Sequence, residues 1–125
     1  MYQLLFVGLG GFLGAISRFL VSKYTTNALG IFPVGTLIVN VTGSFVLALI
    51  SYLVLEGRNI SPDVRNFVTV GFIGAYTTMS TFSFETMRFL DQGEYNYFAL
   101  NIILNIVLCF GAIALGRYCA LLLTK

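Results

Sequence analysis

Apolar residues run in long blocks along this chain, and charged residues fall between the blocks. Met1–Ser17 (17 residues), Tyr24–Leu55 (32), Asn66–Phe84 (19) and Tyr95–Gly116 (22) carry no charge. A helix needs about 20 mostly apolar residues to cross a hydrocarbon core of about 30 Å. The second block is too long for one straight crossing, and its Asn27–Pro33 stretch holds Gly30 and Pro33, which stop helices and turn chains. The pattern predicts four helices, Gln3–Lys23, Val34–Leu55, Val64–Leu90 and Tyr95–Leu123, in one transmembrane domain over residues 1–125. Met1-Tyr2-Gln3 lacks the basic start of a signal peptide and the apolar stretch runs long, so the first segment is expected to be a retained helix.

Composition agrees. Hydrophobic residues make up 58% and charged residues 10%, with a mean hydropathy of +0.90. A soluble domain carries about 25% charged residues, and so few charges could not cover a surface in water. Disorder is excluded because there is ample apolar matter to bury. The expected class is an all-α, multi-pass integral membrane protein. Seven basic and five acidic residues leave a net charge of +2, too little and too scattered to hold a nucleic acid. There is no His, and no paired carboxylate site lies within the spans, which argues against an enzyme. Cys109 and Cys119 would lie about 15 Å apart along a helix axis, beyond disulfide reach.

Charge also bears on orientation. With four spans, Arg58, Arg65, Lys125 and Arg117 fall on one side and Lys23, Arg88 and Arg18 on the other. The positive-inside rule works on Lys/Arg asymmetry, and here there is almost none. The expectation is a chain that inserts both ways round and pairs as an antiparallel homodimer. Such a dimer would supply between chains the inverted repeat that many transporters carry within one. Gly10 and Gly14 form a GxxxG spacing and Gly71 and Ala75 a second small-residue pair, both suited to close helix contact.

Polar side chains at membrane depth are costly and mark function by default. Five of the seven residues from Thr77 to Ser83 carry hydroxyls and follow Gly71 and Gly74. That run predicts an interrupted third helix, whose freed carbonyls suit cations and whose freed amides suit anions. Asn40 stands amid apolar neighbours, with Thr42 and Ser44 beyond it. Asn101, Asn105 and Cys109 recur at i, i+4 and i+8, on one face of the last helix over about 12 Å of rise. Glu85 is placed to pair with Arg88 or to cap a polar network, and Arg18 to snorkel or to lend positive potential to a mouth. Hydroxyls, amides and electropositive ring edges suit a small anion without fixing it in a deep charge well. No Gly-rich loop ending in Lys-Ser or Lys-Thr is present, so transport is expected to be passive.

These residues resemble the CrcB/Fluc fluoride channel family. The matching pieces are Gly11-Phe12-Leu13-Gly14-Ala15-Ile16-Ser17-Arg18-Phe19, then Gly35-Thr36-Leu37-Ile38-Val39-Asn40, then Gly71 through Glu85, in order and at the family's spacing. The resemblance implies four helices with the third broken mid-membrane, an antiparallel dual-topology homodimer and two fluoride pores per dimer. It implies that Asn40 donates to fluoride and that Phe82 presents its ring edge. Ser80 and Thr81, with Asn105 and Cys109, extend a polar track, and Arg18 occupies the vestibule position. Gly74 and Thr77 would offer backbone carbonyls from both chains to one central Na⁺. Met79 departs from the pattern, standing where the first phenylalanine usually is. The expected partners are a second copy of the chain, fluoride and the lipid of a cell inner (plasma) membrane. The implied role is passive export of cytoplasmic fluoride. A small multidrug-type, proton-coupled exporter is the nearest alternative, but the acid that such a carrier needs in its first helix is missing here. A non-transporting assembly subunit would leave the hydroxyl run and the Asn stripe idle.

Overall fold

A computed structural model describes residues 2–26 and 30–125. Every regular element among them is helical: α1 (Tyr2–Thr26), α2 (Val34–Leu55), α3 (62–76), α4 (Met79–Asp91) and α5 (Tyr95–Thr124). The α1 and α5 segments run slightly past the predicted ends, and α2 has the predicted bounds. Of the turn expected over 27–33, residues 27–29 lie outside the described residues. The rest turns at Gly30, whose φ of 76° a side chain would resist, and α2 begins directly after Pro33.

The third segment, expected over Val64–Leu90 with an interruption, begins two residues earlier and is two separate helices. α3 starts on Ser61, whose side chain accepts from the Val64 amide, with Pro62 at the first helical position. It widens into a π-helix over Asn66–Ile73 and returns to α geometry for Gly74–Tyr76. Then Thr77 (ψ 156°) and Thr78 (φ −152°, ψ 114°) are extended, and α4 begins at Met79. α4 is 13 residues long, well short of the length a crossing needs. Among the described residues three uninterrupted helices, α1, α2 and α5, are long and apolar enough to cross a membrane.

Packing follows small residues. α1 lies against the π-helical part of α3, and a Cβ on Gly10 would strike the Phe67 carbonyl, one on Gly14 the Phe72 carbonyl. Neither backbone could approach so closely with a larger residue. α2 packs along α5, where a Cβ on Gly116 would meet the Phe45 carbonyl. At one end, Phe32, Phe89 and Tyr97 cluster at centroid distances of 5.5–6.4 Å, joining the turn before α2 to the α4–α5 corner. At the other end, the Arg58 guanidinium donates to the Leu123 carbonyl, tying the loop after α2 to the end of α5.

The buried apolar core is small: Val39, Ala48, Ile73, Phe89, Ala112 and Ala120. Large apolar side chains instead face outward, Phe12 at 64% exposure and Phe110 at 74% among them. In water such a surface would aggregate; against lipid and neighbouring protein it is the stable arrangement. The chain is a multi-pass membrane protein.

Candidate functional site

The break after Tyr76 frees peptide groups that a continuous helix would pair, and each needs a partner. Asn40, on α2, supplies it for Thr78 on both sides. Its Oδ1 accepts from the Thr78 amide at 2.8 Å and its Nδ2 donates to the Thr78 carbonyl at 3.2 Å. This two-point grip resembles strand pairing and suits the extended geometry of Thr78. The Thr78 hydroxyl caps α4, accepting from the Thr81 amide at 3.2 Å and donating to the Thr81 hydroxyl at 3.0 Å. The Ser80 hydroxyl lies 3.3 Å from it. Gly43, one turn past Asn40, lets α2 come down on the break, since a Cβ there would land on the Thr77 methyl.

Both diversions leave carbonyls behind. The Thr78 amide, the helical partner of the Gly74 carbonyl, goes to Asn40 instead. The Thr81 amide, the helical partner of the Thr77 carbonyl, goes to the Thr78 hydroxyl. Gly74 and Thr77 are therefore relieved of their helical donors at the positions expected to face a cation. Among the described residues no group of three or more His, Cys, Asp or Glu gathers to hold a metal. A hard monovalent cation would have to use such carbonyl oxygens, and these two fit it.

From Asn40 a directed chain of hydrogen bonds runs into α5. Asn40 Nδ2 donates to Asn105 Oδ1 (3.2 Å), Asn105 Nδ2 to Asn101 Oδ1 (3.1 Å), Asn101 Nδ2 to the Thr86 hydroxyl (2.9 Å), and Thr86 to the Phe82 carbonyl (2.7 Å). Backbone groups fix its sense at both ends: the Thr78 amide only donates, and the Phe82 carbonyl only accepts. Asn105 Nδ2 also donates to the Asn101 carbonyl at 3.1 Å, which sets that amide independently. Asn101 is 0% and Asn105 6% exposed, so the two amides of the stripe read from sequence face protein and are satisfied there.

A groove of about 720 Å³ runs over this network. Asn40, Thr77, Met79, Phe82, Asn105 and Cys109 line it, together with Ser44, Ser83 and Thr86 and the apolar Leu47, Ile106 and Phe110. Met79 is 71% exposed on its wall. The groove thus brings together most of the residues singled out from sequence. Ser80 and Thr81 are exposed beyond its edge and join it through Thr78. Gly74, exposed at the end of α3, and Arg18, half-buried on α1, line neither this groove nor the second cavity.

That second cavity, about 180 Å³, sits at the Phe32–Phe89 end and is lined by Glu85, Arg88, Gln92 and the turn 30–33. Glu85 Oε1 accepts from the Thr36 hydroxyl at 2.9 Å, while Oε2 is buried without a hydrogen-bond partner. The Glu85 hydrogen bond thus comes from Thr36 on α2 and not from Arg88. Sequence reasoning missed Thr78 as the hub of the site. Its signal was present: a Thr preceding a helical run and three residues ahead of Thr81 has the makings of an N-cap. Thr86 carried no such signal, because one hydroxyl on a helix is ordinarily satisfied by its own backbone.

The profile of the family described as CrcB-like protein, Camphor Resistance (CrcB), matches residues 5–117. A fluoride-specific ion channel FluC of Methanococcus maripaludis is 47% identical over 117 residues, covering 94% of each chain. The fluoride-specific ion channel FluC 1 of Methanosarcina acetivorans is 40% identical over 121 residues, 97% of this chain and 92% of that one. A fluoride-specific ion channel FluC of Campylobacter lari is 47% identical over 115 residues, 90% of this chain and 93% of that protein.

Proposed function

We infer the function from a fixed premise: the chain belongs to the CrcB/Fluc family. It is a fluoride ion channel and not an enzyme. The observation that carries the finer reading is the groove in which amides, hydroxyls and the Phe82 ring line one surface while no basic side chain is among its lining residues. Fluoride is small and strongly hydrated, and a run of neutral donors replaces its water in steps. A cationic pocket would hold it too firmly for release. Asn40 donates through its amide, Phe82 offers its ring edge, and Met79 supplies a polarizable wall where an aromatic ring is usual in the family. Asn105 and Cys109 continue the track along α5, Ser80 and Thr81 continue it past the break, and Arg18 acts from a vestibule.

In the proposed assembly two chains pair antiparallel, each crossing four times with α3 and α4 as the broken third span. Two observations support it. The groove is an open, mostly apolar face in which the half-buried Asn40 and Thr77 would be costly to leave against lipid, and the Lys/Arg tally between the two ends is nearly balanced. A partner laid over the groove turns it into a corridor, with one per chain. The Gly74 and Thr77 carbonyls of both chains would then meet at a central Na⁺, which when bound supplies a fixed positive charge between the two breaks.

Direction comes from acid chemistry. Hydrogen fluoride crosses bilayers as a neutral weak acid and dissociates in a near-neutral cytoplasm. An inside-negative inner membrane drives the trapped anion outward with about 2.3 kcal/mol per charge per 100 mV. A passive pore therefore suffices for detoxification. Liposomes holding the purified chain and loaded with equal fluoride and chloride should release fluoride to an ion-selective electrode while chloride stays inside. Equal release of both halides would end the selectivity claim.

A further inference from the structure

Arg117 lies in the apolar second half of α5, and its side chain leans toward one end of the molecule. The residue before it, Gly116, packs at the level of Phe45 and Leu49, whose backbone a Cβ would strike. The Arg117 guanidinium instead stands 5.6 Å from the centre of the Tyr52 ring, about a turn nearer the end of α2. Among the described residues that ring is its one partner, and no carbonyl or carboxylate takes its N–H groups. Arg58, at the same end, is spent on the Leu123 carbonyl, and the acids there, Glu56 and Asp63, leave Arg117 unpaired. The 30 residues of α5 run about 45 Å against a hydrocarbon core of about 30 Å, so with the helix centred the Arg117 backbone falls inside the core. Tyr52 is three residues from the end of α2, near the core boundary. A charge left in the core is costly, and the stem of Arg117 carries it out to the headgroup layer, where tyrosine rings also gather.

We propose that Arg117, held over the Tyr52 ring, binds the phosphodiester of an anionic membrane lipid. A guanidinium offers five N–H groups in one plane, a fork that matches the two non-bridging oxygens of a phosphodiester. The Tyr52 ring attracts the cation and restricts where the fork can stand. A lipid supplies phosphate at that depth, and its chains meet the exposed Leu115 and Tyr118 beside Arg117. Arg58 and Lys125 stand at the same end of α5, so a headgroup without a cation of its own is favoured over a zwitterionic one. Neither Arg117 nor Tyr52 lines the groove, so the site is separate from the ion path and does not depend on it.

Native mass spectrometry of the purified full chain in detergent tests this, with phosphatidylglycerol, phosphatidylcholine or sodium phosphate added. The unsubstituted protein should take up phosphatidylglycerol at lower concentration than phosphatidylcholine. Arg117→Gln should weaken phosphatidylglycerol binding about tenfold, the scale of one hydrogen bond to a charged group. Tyr52→Leu, which keeps the charge and removes the ring, should weaken it about threefold. Equal uptake of the two lipids by the unsubstituted protein would overturn the proposal. So would an R117Q variant that binds phosphatidylglycerol as the parent does. Displacement of the lipid by an equal concentration of sodium phosphate would assign the site to the free ion and contradict the lipid reading. If R117Q does not fold, the unsubstituted protein decides: its melting temperature in detergent should rise more with phosphatidylglycerol than with phosphatidylcholine, and an equal rise would refute the site.

Discussion

An amide at membrane depth is tolerable only when its hydrogen-bonding groups are used, and Asn40 uses its carbonyl and both hydrogens. It follows that one side chain shapes the break, and in the proposed channel the same side chain meets the ion. Asn40→Leu removes the grip on Thr78 and leaves two peptide groups without partners, at a cost of about 1–3 kcal/mol for each. The variant is expected to melt well below the parent in detergent and to pass no fluoride after reconstitution. An N40L channel with parental melting and parental flux would show that Thr78 holds itself extended. That Asn40 matters was legible in the sequence, because an amide amid apolar neighbours must find a partner or face water. Its partner was not, since Thr78 is 38 residues away and the pairing depends on how α2 lies across the break.

The interruption between α3 and α4 is held at several points: Asn40 from α2, the Thr78 cap on α4, and the close approach permitted by Gly43. A hydroxyl run after two glycines predicts such a break, and the structure has it at Thr77 and Thr78. The π-helical widening of α3 had no signature in residue types or spacing, because a π turn is selected by what the backbone packs against. Here the neighbour is the glycine face of α1. Two alanine variants on that helix separate packing from propensity. Gly14→Ala places a methyl on the Phe72 carbonyl, whereas Gly8→Ala meets nothing within 4 Å. G14A should lose about 1–3 kcal/mol by overpacking. G8A should hold or gain up to about 1 kcal/mol from better helix propensity. Thermal unfolding in detergent compares them, and equal melting of the two would mean that α1 does not sit on α3 this closely.

Across the whole molecule, the end that joins the turn 30–33 to the α4–α5 corner opposes the end where Arg58 meets the terminus of α5. Basic residues are shared almost evenly between these ends, and the proposed two-way insertion rests on that balance. A C-terminal tag on the expressed protein should accordingly be labelled in part from each side of the membrane. Two added lysines in the loop after α2, at Asn59 and Ile60, should collapse that mixture to one orientation and lower flux in step. One-sided labelling of the unaltered chain would remove the antiparallel assembly. The all-helical membrane class and most of the groove's polar lining could be read from the alternation of apolar blocks and the polar intrusions within them, whereas the split of the third segment into two short helices changes the count of elements. The directed amide chain from Asn40 to Thr86 could not be read, because it joins three helices through contacts that no local spacing encodes. The central claim is that fluoride crosses this protein unaided and chloride does not. It is tested most directly by the reversal potential of purified protein in a planar bilayer, with a tenfold fluoride gradient and equal chloride on both sides. Passive, selective conduction predicts a reversal of about 59 mV at the fluoride equilibrium potential; a reversal at zero would contradict the account.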